Sequence, residues 1–229
     1  MAPVLDMLAL GGAAVILALF WRSARTHTRQ ALQRCASAQQ HAASCVAKAL
    51  PEGPSQAQIV AFLRGEGVDD QGRTLAQVLE FSDLELEMEH DFIQWLFPSP
   101  DASLCHPEAP VASAQTFQAL RQDPLAVHGL LQAFERMLKF YGLRRDASGR
   151  GLALYGRHAD VSGWLKGPTH NDLRLTRMLR ALSLCGQQAQ ADLLLSFLLV
   201  RFAASEDPHR QASLSYWREA AQAGAHSLS

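Results

Sequence analysis

An uncharged apolar stretch near the start of the chain limits its architecture more than any other feature. The stretch runs from Met7 to Trp21 and follows one acidic residue, Asp6. A helix needs about 20 mostly apolar residues to cross a bilayer, and residues 4–21 come close to this length if Asp6 lies near one interface. Trp21 would then lie at the other interface, where indole rings are enriched. Residues 1–24 are therefore predicted to form a transmembrane anchor.

The charges that follow this stretch predict its orientation. Four arginines come directly after it: Arg22, Arg25, Arg29 and Arg34. By the positive-inside rule this side is cytoplasmic, which predicts a single-pass membrane protein whose C-terminal domain is in the cytoplasm. Two alternatives stay open. A signal peptide would need a positive region before the apolar residues, where the chain has only Asp6, and the stretch could instead be a packed core helix.

The rest of the chain divides at a break rich in proline and glycine. Residues 25–54 contain much Ala and Gln with scattered Arg and His, and they are predicted to form a polar helical stalk and linker that ends at residues 51–54, Pro-Glu-Gly-Pro. Residues 55–205 are predicted to form the main domain. Residues 206–229 are predicted to form a C-terminal helix and tail.

Helical periodicity recurs through the main domain. Leu175, Met178, Leu179 and Leu182 follow the spacing i, i+3, i+4, i+7 of an amphipathic helix. Apolar residues make up 48% of the chain and β-branched residues are scarce, which favours helix over sheet. The sequence therefore predicts a mainly α, irregular helical domain of about seven to nine helices with proline-rich loops, preceded by the one transmembrane helix.

Two segments of this domain give more specific expectations. Residues 84–96 carry an apolar pattern that predicts one helix, ended by Pro98. Residues 191–203 are almost entirely apolar but are too short for a second membrane span. They are predicted to form the central core helix.

Composition and motif content argue against several classes of function. A net charge of -1 gives no field that would steer the chain to nucleic acid. The cysteines lack the paired spacing of structural zinc sites: Cys35, Cys45, Cys105 and Cys185. No metalloprotease, phosphate-loop or serine-hydrolase motif occurs. We therefore expect no metal, no cofactor, no nucleic-acid partner and no evident catalytic residue.

Three stretches, in a fixed order, carry a family resemblance. They are HDFIQWLFP at residues 90–98, MLKFYGL at residues 137–143 and HNDLRLTRML at residues 170–179. These resemble the HxYIQWLFP, MLxFYGL and HNxLRITRIL motifs of the opioid growth factor receptor family, although Phe92 replaces the usual tyrosine. The resemblance extends over residues 59–202.

The resemblance implies a receptor-type binding module. Animal members of the family are receptors for an enkephalin-type opioid peptide and are associated with the nuclear envelope. Short members carry the domain without an evident peptide ligand, and the family supplies no residue-level map of a peptide site. A peptide or protein ligand is therefore what the resemblance implies for this chain, and the ligand's identity stays open.

Polar residues in the first and third motifs are candidate ligand-binding residues. His90 and Gln94 are four residues apart, on one face of the predicted helix, and Asp91 lies on the adjacent face. If this helix meets the one that begins near residue 170, the following residues line one polar cleft: His90, Asp91, Gln94, His170, Asn171, Arg174 and Arg177. Arginine forks and a helix N-terminus suit an anionic group, so this cleft is the predicted ligand site.

A structural interpretation of the same residues stays open. His90 and Gln94 would then bond to buried backbone groups, and Arg174 and Arg177 would tie the proline-rich loop through its carbonyls or through Asp91. Three functional hypotheses follow. The first is a membrane-anchored ligand- or protein-binding module; the alternative is an uncharacterised enzyme or a nucleotide- or anion-binding domain that uses the same cleft; the third is a tethered scaffold.

Overall fold

A computed structural model of the chain describes residues 56–103, 109–155 and 163–226. The predicted anchor and stalk, residues 1–54, lie outside these ranges, so both stay predictions. Within the described ranges, no helix combines the length and the apolar character that a membrane crossing requires.

The described chain is mainly helical, as the sequence predicts, and it also has one small sheet. Eight helices have five residues or more, and two are single turns of four residues. In chain order the elements are α1 (Gln56–Leu63), α2 (Leu75–Leu79), α3 (Asp83–Met88), α4 (Ile93–Leu96), α5 (Ala114–Gln122), α6 (Pro124–Phe140), β1 (Leu143–Arg145), β2 (Leu152–Leu154), α7 (His170–Leu184), α8 (Gln188–Phe202), α9 (Pro208–Ala221) and α10 (Ala223–His226).

Short polar side chains and prolines determine where the longer helices begin. Asp123 accepts hydrogen bonds from the N–H groups of Leu125 and Ala126, and Pro124 occupies the first position of α6. The pair Asp207–Pro208 starts α9 in the same way. After α6, Gly142 adopts a φ of 66°, a left-handed conformation that lets the chain turn into β1.

The sheet is an antiparallel hairpin of two short strands. Leu143 pairs with Leu154, and Arg145 pairs with Leu152. In the connecting turn Asp146 accepts a hydrogen bond from the N–H of Ser148, an interaction typical of Asx turns. Leu152 and Leu154 are compatible with either a brief strand or a packed loop, and the structure has the strand.

The core is built around α7. Ten of its fifteen residues are buried, and it packs against α8, α9 and α10. Its predicted apolar face, Leu175 to Leu182, is fully buried, which confirms the helical periodicity. A second group of helices, α1, α2 and α5, packs on α6.

The expectation that residues 191–203 form the central core helix is wrong. α8 buries one stripe only, Ala191, Leu194, Leu198 and Phe202. On the opposite side Val200 is 82% exposed. An apolar sequence indicates that a helix can be buried all round, but the number of neighbouring helices determines whether it is, and α7 occupies the centre instead.

The expectation of one helix over residues 84–96 is also wrong. α3 ends at Met88, Glu89 is extended with a ψ of 142°, and α4 begins at Ile93. In a continuous helix the carbonyls of Leu86 and Glu89 would accept hydrogen bonds from backbone N–H groups of the next turn. Here both carbonyls accept hydrogen bonds from a side chain of α7 instead. His90 and Gln94 therefore do not share a helix face.

The aromatic residues of the first two motifs belong to the core. Trp95, Phe97, Phe140 and Tyr141 are all buried. The ring of Trp95 lies 5.4 Å from that of Phe62 on α1, and its indole N–H donates to Asp70 Oδ1 at 3.0 Å. Trp95 thus joins α4 to α1 and to the loop before α2.

Replacement of Trp95 should therefore be costly. We expect Trp95→Ala to lower the free energy of unfolding by about 3–5 kcal/mol, because it leaves a large cavity and removes the indole hydrogen bond. Urea unfolding followed by circular dichroism measures the change. Leu125→Ala, at an exposed position of α6, is the control and should change stability by less than about 0.5 kcal/mol. A loss below about 1 kcal/mol for Trp95→Ala would contradict the packing described here.

Candidate functional site

Polar side chains converge where the first turn of α7 meets the chain between α3 and α4. The Thr169 hydroxyl accepts the N–H of Asn171 and so caps α7. This start of the helix brings the side chains of its first turn against α3 and the end of α6. The group, called the polar cluster below, consists of Glu87, His90, Tyr141, His170, Asn171 and Arg174.

Arg174 lies at the centre of the polar cluster and is only 4% exposed. Its Nη1 donates to the carbonyl of Leu86 at 2.7 Å, and its Nη2 donates to the carbonyl of Glu89 at 2.6 Å. Nη2 also lies 3.1 Å from His90 Nδ1. Burial lowers the pKa of Arg174, and the nearby Glu87 opposes that shift. The guanidinium thus donates hydrogen bonds to backbone carbonyls at the end of α3 and points away from solvent.

Asn171 links the second motif to the third. It is fully buried, and its Oδ1 accepts a hydrogen bond from the Tyr141 hydroxyl at 3.3 Å and one from Arg174 Nη1 at 3.4 Å. Its Nδ2 donates to Glu87 Oε2 at 3.2 Å. Burial raises the pKa of Tyr141, so its hydroxyl keeps the proton that it donates.

The outer members of the polar cluster are two imidazoles and a carboxylate. The rings of His90 and His170 meet edge to face with centroids 5.0 Å apart, and His170 Nε2 lies 3.5 Å from Glu87 Oε1. Burial lowers the pKa of His170 to about 3, and the charges of Arg174 and His90 add to this effect. Partial burial and the charge of Arg174 also lower the pKa of His90. Burial raises the pKa of Glu87. Both imidazoles are therefore neutral at neutral pH.

The structure brings four of the seven predicted site residues together: His90, His170, Asn171 and Arg174. The other three lie elsewhere. Asp91 pairs with Arg73 at 2.9 Å, and Gln94 is buried within α4. Arg177 donates from Nε to the carbonyl of Phe97 at 2.8 Å, and burial lowers its pKa to about 10. That bond ties the proline-rich loop through a carbonyl, as the structural interpretation expects.

Two members of the polar cluster were missed from the sequence. Glu87 belongs to a run of alternating glutamates that diverge around a helix, and nothing in that run distinguishes it from Glu85 or Glu89. The ring of Tyr141 lies in the core, as is usual for an aromatic residue, but nothing in the sequence indicates that its hydroxyl bonds to Asn171. Their only sequence signal is that they lie in or next to the motifs.

A second buried network lies on the opposite side of α7 and had no sequence signal. Arg210 on α9 is fully buried, and its Nη1 lies 2.8 Å from both carboxylate oxygens of Asp172. Its Nη2 donates to the carbonyl of Trp164, and the Ser213 hydroxyl donates to Asp172 Oδ2. An arginine in the first turn of a helix usually lies in solvent, so this inward orientation could not be foreseen.

Two surface grooves lie outside the polar cluster. One of about 370 Å³ runs between the start of α7 and α9, and the other, of about 340 Å³, lies between the hairpin and α8. Within the described residues, no group of three or more His, Cys, Asp or Glu side chains is arranged to hold a metal ion. Burial raises the pKa of Cys185 to about 12, so this residue is a protonated thiol in the core.

A comparison with known protein families tests the resemblance that the three motifs indicate. The family model described as "Opioid growth factor receptor (OGFr) conserved region" matches residues 74–225. The chain belongs to this family. The match includes all three motifs and the whole polar cluster, so the resemblance is confirmed.

Curated relatives carry the same name. The opioid growth factor receptor of Homo sapiens is 31% identical over 138 residues, which cover 58% of this chain and 20% of the relative. That of Rattus norvegicus is 30% identical over 135 residues, 58% of this chain and 23% of the relative. Opioid growth factor receptor-like protein 1 of Mus musculus is 29% identical over 115 residues, which cover 50% of this chain and 25% of the relative. The chain thus spans about a fifth to a quarter of these relatives. No solved structure matches it.

Removal of the central guanidinium should destabilise the domain. We expect Arg174→Met to lower the free energy of unfolding by about 2–4 kcal/mol, because the carbonyls of Leu86 and Glu89 lose their donors. Arg174→Lys should restore only part of this loss, since one ammonium group cannot reproduce the planar fork. The control is Arg150→Met at an exposed position, with an expected change within about 0.5 kcal/mol. An Arg174→Met chain as stable as the control would refute the role given to this side chain.

The depressed pKa of His170 should make the fold sensitive to mild acid. Its ordinary value is 6.5, and in the folded chain it is about 3, so below pH 6.5 the unfolded chain binds the extra proton. Stability should then fall as the pH is lowered from 7 towards 5, by up to about 1.4 kcal/mol per pH unit for one such group. The raised pKa of Glu87 acts in the opposite direction, from its ordinary value of 4.5 up to its raised value, because there the folded chain binds the extra proton.

Urea unfolding at several pH values measures this dependence. His170→Asn should flatten it, whereas His128→Asn, at an exposed position of α6, should keep the wild-type slope. If His170→Asn and the wild type lose stability in parallel, the neutral state assigned to His170 is incorrect.

Proposed function

We propose that this chain is a receptor-type binding module without catalytic activity, and that it recognises a peptide or protein ligand around the start of α7. Membership of the opioid growth factor receptor family supports this proposal. We further propose, from the sequence alone, that residues 4–21 hold the module at a membrane with the domain in the cytoplasm.

One observation carries the choice of surface. Leu173 on α7 and Tyr216 on α9 are 68% and 61% exposed, and they line the groove of about 370 Å³ between the two helices. Exposed aliphatic and aromatic side chains beside a groove are typical of peptide-recognition surfaces. The lining residues are Pro168, Thr169, Asp172, Leu173, Thr176, His209, Ala212, Ser213 and Tyr216.

The groove is held rigidly from beneath. Asp172, which lines it, is fixed by Arg210 and by the hydroxyl of Ser213, and the indole of Trp217 donates to the carbonyl of Asp172. These bonds tie α9 to the first turn of α7. A surface that is ordered before binding loses less conformational entropy when a ligand arrives, which favours affinity.

We propose that the predicted site residues contribute on the other side of the same turn. His90 and His170 are neutral and lie at the outer edge of the polar cluster, where they can contact polar groups of a peptide that crosses the start of α7. Asn171 and Arg174 are buried beneath them and act as positioning residues. Asp91 and Arg177 are engaged with Arg73 and with the carbonyl of Phe97.

The geometry disfavours the alternative of an anion-binding or catalytic cleft. Both arginines that would bind the anion donate to backbone carbonyls, Arg174 to Leu86 and Glu89 and Arg177 to Phe97. Arg174 would have to leave two acceptors without their donor in order to turn to a ligand, which costs about 1–3 kcal/mol per acceptor. Nη2 of Arg177 has no hydrogen-bond partner among the described residues, but it is buried away from solvent. We therefore favour the binding module.

A peptide titration tests the proposal. The human relative is named opioid growth factor receptor, so the probe is a synthetic enkephalin-type peptide, titrated by isothermal calorimetry. We expect saturable binding that Tyr216→Ala and Leu173→Ala each weaken at least about tenfold. Leu125→Ala, a matched change at another exposed leucine, should leave the affinity unchanged.

The possible outcomes distinguish an error in the proposed ligand from an error in the proposed site. Saturable binding that neither groove variant weakens would reject the groove. An absence of saturable binding, with the chain folded, would reject this class of peptide as the ligand.

A further inference from the structure

The short helix α3 carries large apolar side chains on its outward side as well as on its inward side. Leu86 faces the core and is fully buried, whereas Leu84 and Met88 are 55% and 57% exposed. Leu84 and Met88 are four residues apart, so they lie on one face of the helix, opposite Leu86. The outward side of a surface helix is normally polar. Leu84 and Met88, called the α3 face below, are therefore an apolar surface that nothing in the domain covers.

The chain around the α3 face is strongly acidic. Residues 80–91 contain six Asp and Glu and no Lys or Arg, in a chain whose net charge is only -1. Two arginines from other segments neutralise part of this charge, because Arg73 pairs with Asp91 and Arg136 pairs with Asp83. The acidic residues of this segment thus outnumber the cations that pair with them.

Three exposed glutamates next to the α3 face are not neutralised. Glu80, Glu85 and Glu89 have no cationic partner in the part of the chain that the structure describes. Glu85 accepts a hydrogen bond from the backbone N–H of Ser82, which leaves its charge in place. Arg174 lies beneath this segment, but it is buried and donates to the carbonyl of Glu89, so its charge does not reach the surface as a partner for these side chains.

We propose that the α3 face binds a basic amphipathic helix of a partner protein, one that carries aliphatic side chains next to lysines or arginines. Leu84 and Met88 would be buried against the aliphatic side chains, and methionine is well suited to such contacts because its side chain adapts to different shapes. The glutamates beside them would pair with the cations and raise the rate of association.

Charge distinguishes this partner from other occupants of the same face. Two copies of the chain that met through their α3 faces would bring the unneutralised glutamates of one copy against those of the other, which is repulsive. A nucleic acid or an anionic membrane would be repelled in the same way. The α3 face and its glutamates do not line the groove between α7 and α9, so the inference goes beyond the proposed function and does not depend on it.

Titration of the full chain with a designed helical peptide tests this docking. The probe is a synthetic peptide of about 15 residues, built from Ala, Leu and Lys, with leucines and lysines on adjacent sides of the helix. A second peptide has glutamate in place of every lysine. Binding is measured by isothermal calorimetry at low and at high salt concentration. We expect saturable binding of the basic peptide alone, weakened by salt because salt screens exposed charges.

Two double variants of α3 locate the contact. Glu85→Gln with Glu89→Gln removes two charges but keeps the capping hydrogen bond at residue 85, because glutamine can also accept it. Leu84→Gln with Met88→Gln removes the apolar surface and leaves the charge unchanged. We expect each pair to weaken binding of the basic peptide at least about tenfold.

Matched variants at other exposed positions are the controls. Glu206→Gln with Glu219→Gln removes the same net charge before and within α9, and Leu125→Gln with Val200→Gln removes two exposed apolar side chains elsewhere. Both pairs should bind the basic peptide as the wild type does. Tyr216→Ala, in the groove between α7 and α9, should also leave this binding unchanged.

Each other outcome overturns the proposal. No saturable binding by the folded wild type would rule out a basic helix as the partner. Equal weakening by the α3 variants and by the controls would show that net charge alone attracts the peptide. Full affinity in Leu84→Gln with Met88→Gln would show that the α3 face makes no contact, and weakening by Tyr216→Ala would place the peptide in the groove. Self-association without peptide, seen by sedimentation velocity and lost in the same Leu84 and Met88 variant, would assign the face to a second copy.

Discussion

The buried guanidinium of Arg174 determines the local geometry on which the candidate site depends. By taking the carbonyls of Leu86 and Glu89, it ends α3 and directs the next residues outward, so that His90 reaches His170. A buried carbonyl without a donor costs about 1–3 kcal/mol, so this arrangement and the charge of Arg174 stabilise each other. Asn171 extends the same network to Tyr141 and thereby to α6.

This network assigns the family motifs to the scaffold. Their aromatic residues fill the core, and most of their polar residues bond to one another or to backbone carbonyls. A surface with exposed apolar side chains lies next to the third motif, in the groove marked by Leu173 and Tyr216. Most polar residues of the motifs therefore stabilise the fold, while other motif residues, among them His90 and Leu173, are exposed at the surface.

The sequence predicted what depends on neighbours along the chain. The periodic leucines of α7 are buried, as their spacing predicts, because periodicity acts locally. Asp123–Pro124 and Gly142 are local signals of the same kind for the two ends of α6. Prediction from the sequence failed where a side chain that is distant along the chain determines the local structure. The break between α3 and α4 depends on Arg174, more than eighty residues later, and the burial of Arg210 depends on Asp172. α7 lies at the centre because of how the helices pack together, and the apolar pattern of α8 alone does not indicate this packing.

Native-state hydrogen exchange of an Arg174→Met chain tests most directly whether this guanidinium holds the site. The account predicts that amides of residues 86–97 open at much lower free energy than in the wild type, while the amides of α9 open with their wild-type free energy relative to global unfolding. A loss of protection spread evenly over the domain, or an unchanged segment 86–97, would contradict it and would leave the geometry around His90 to other contacts.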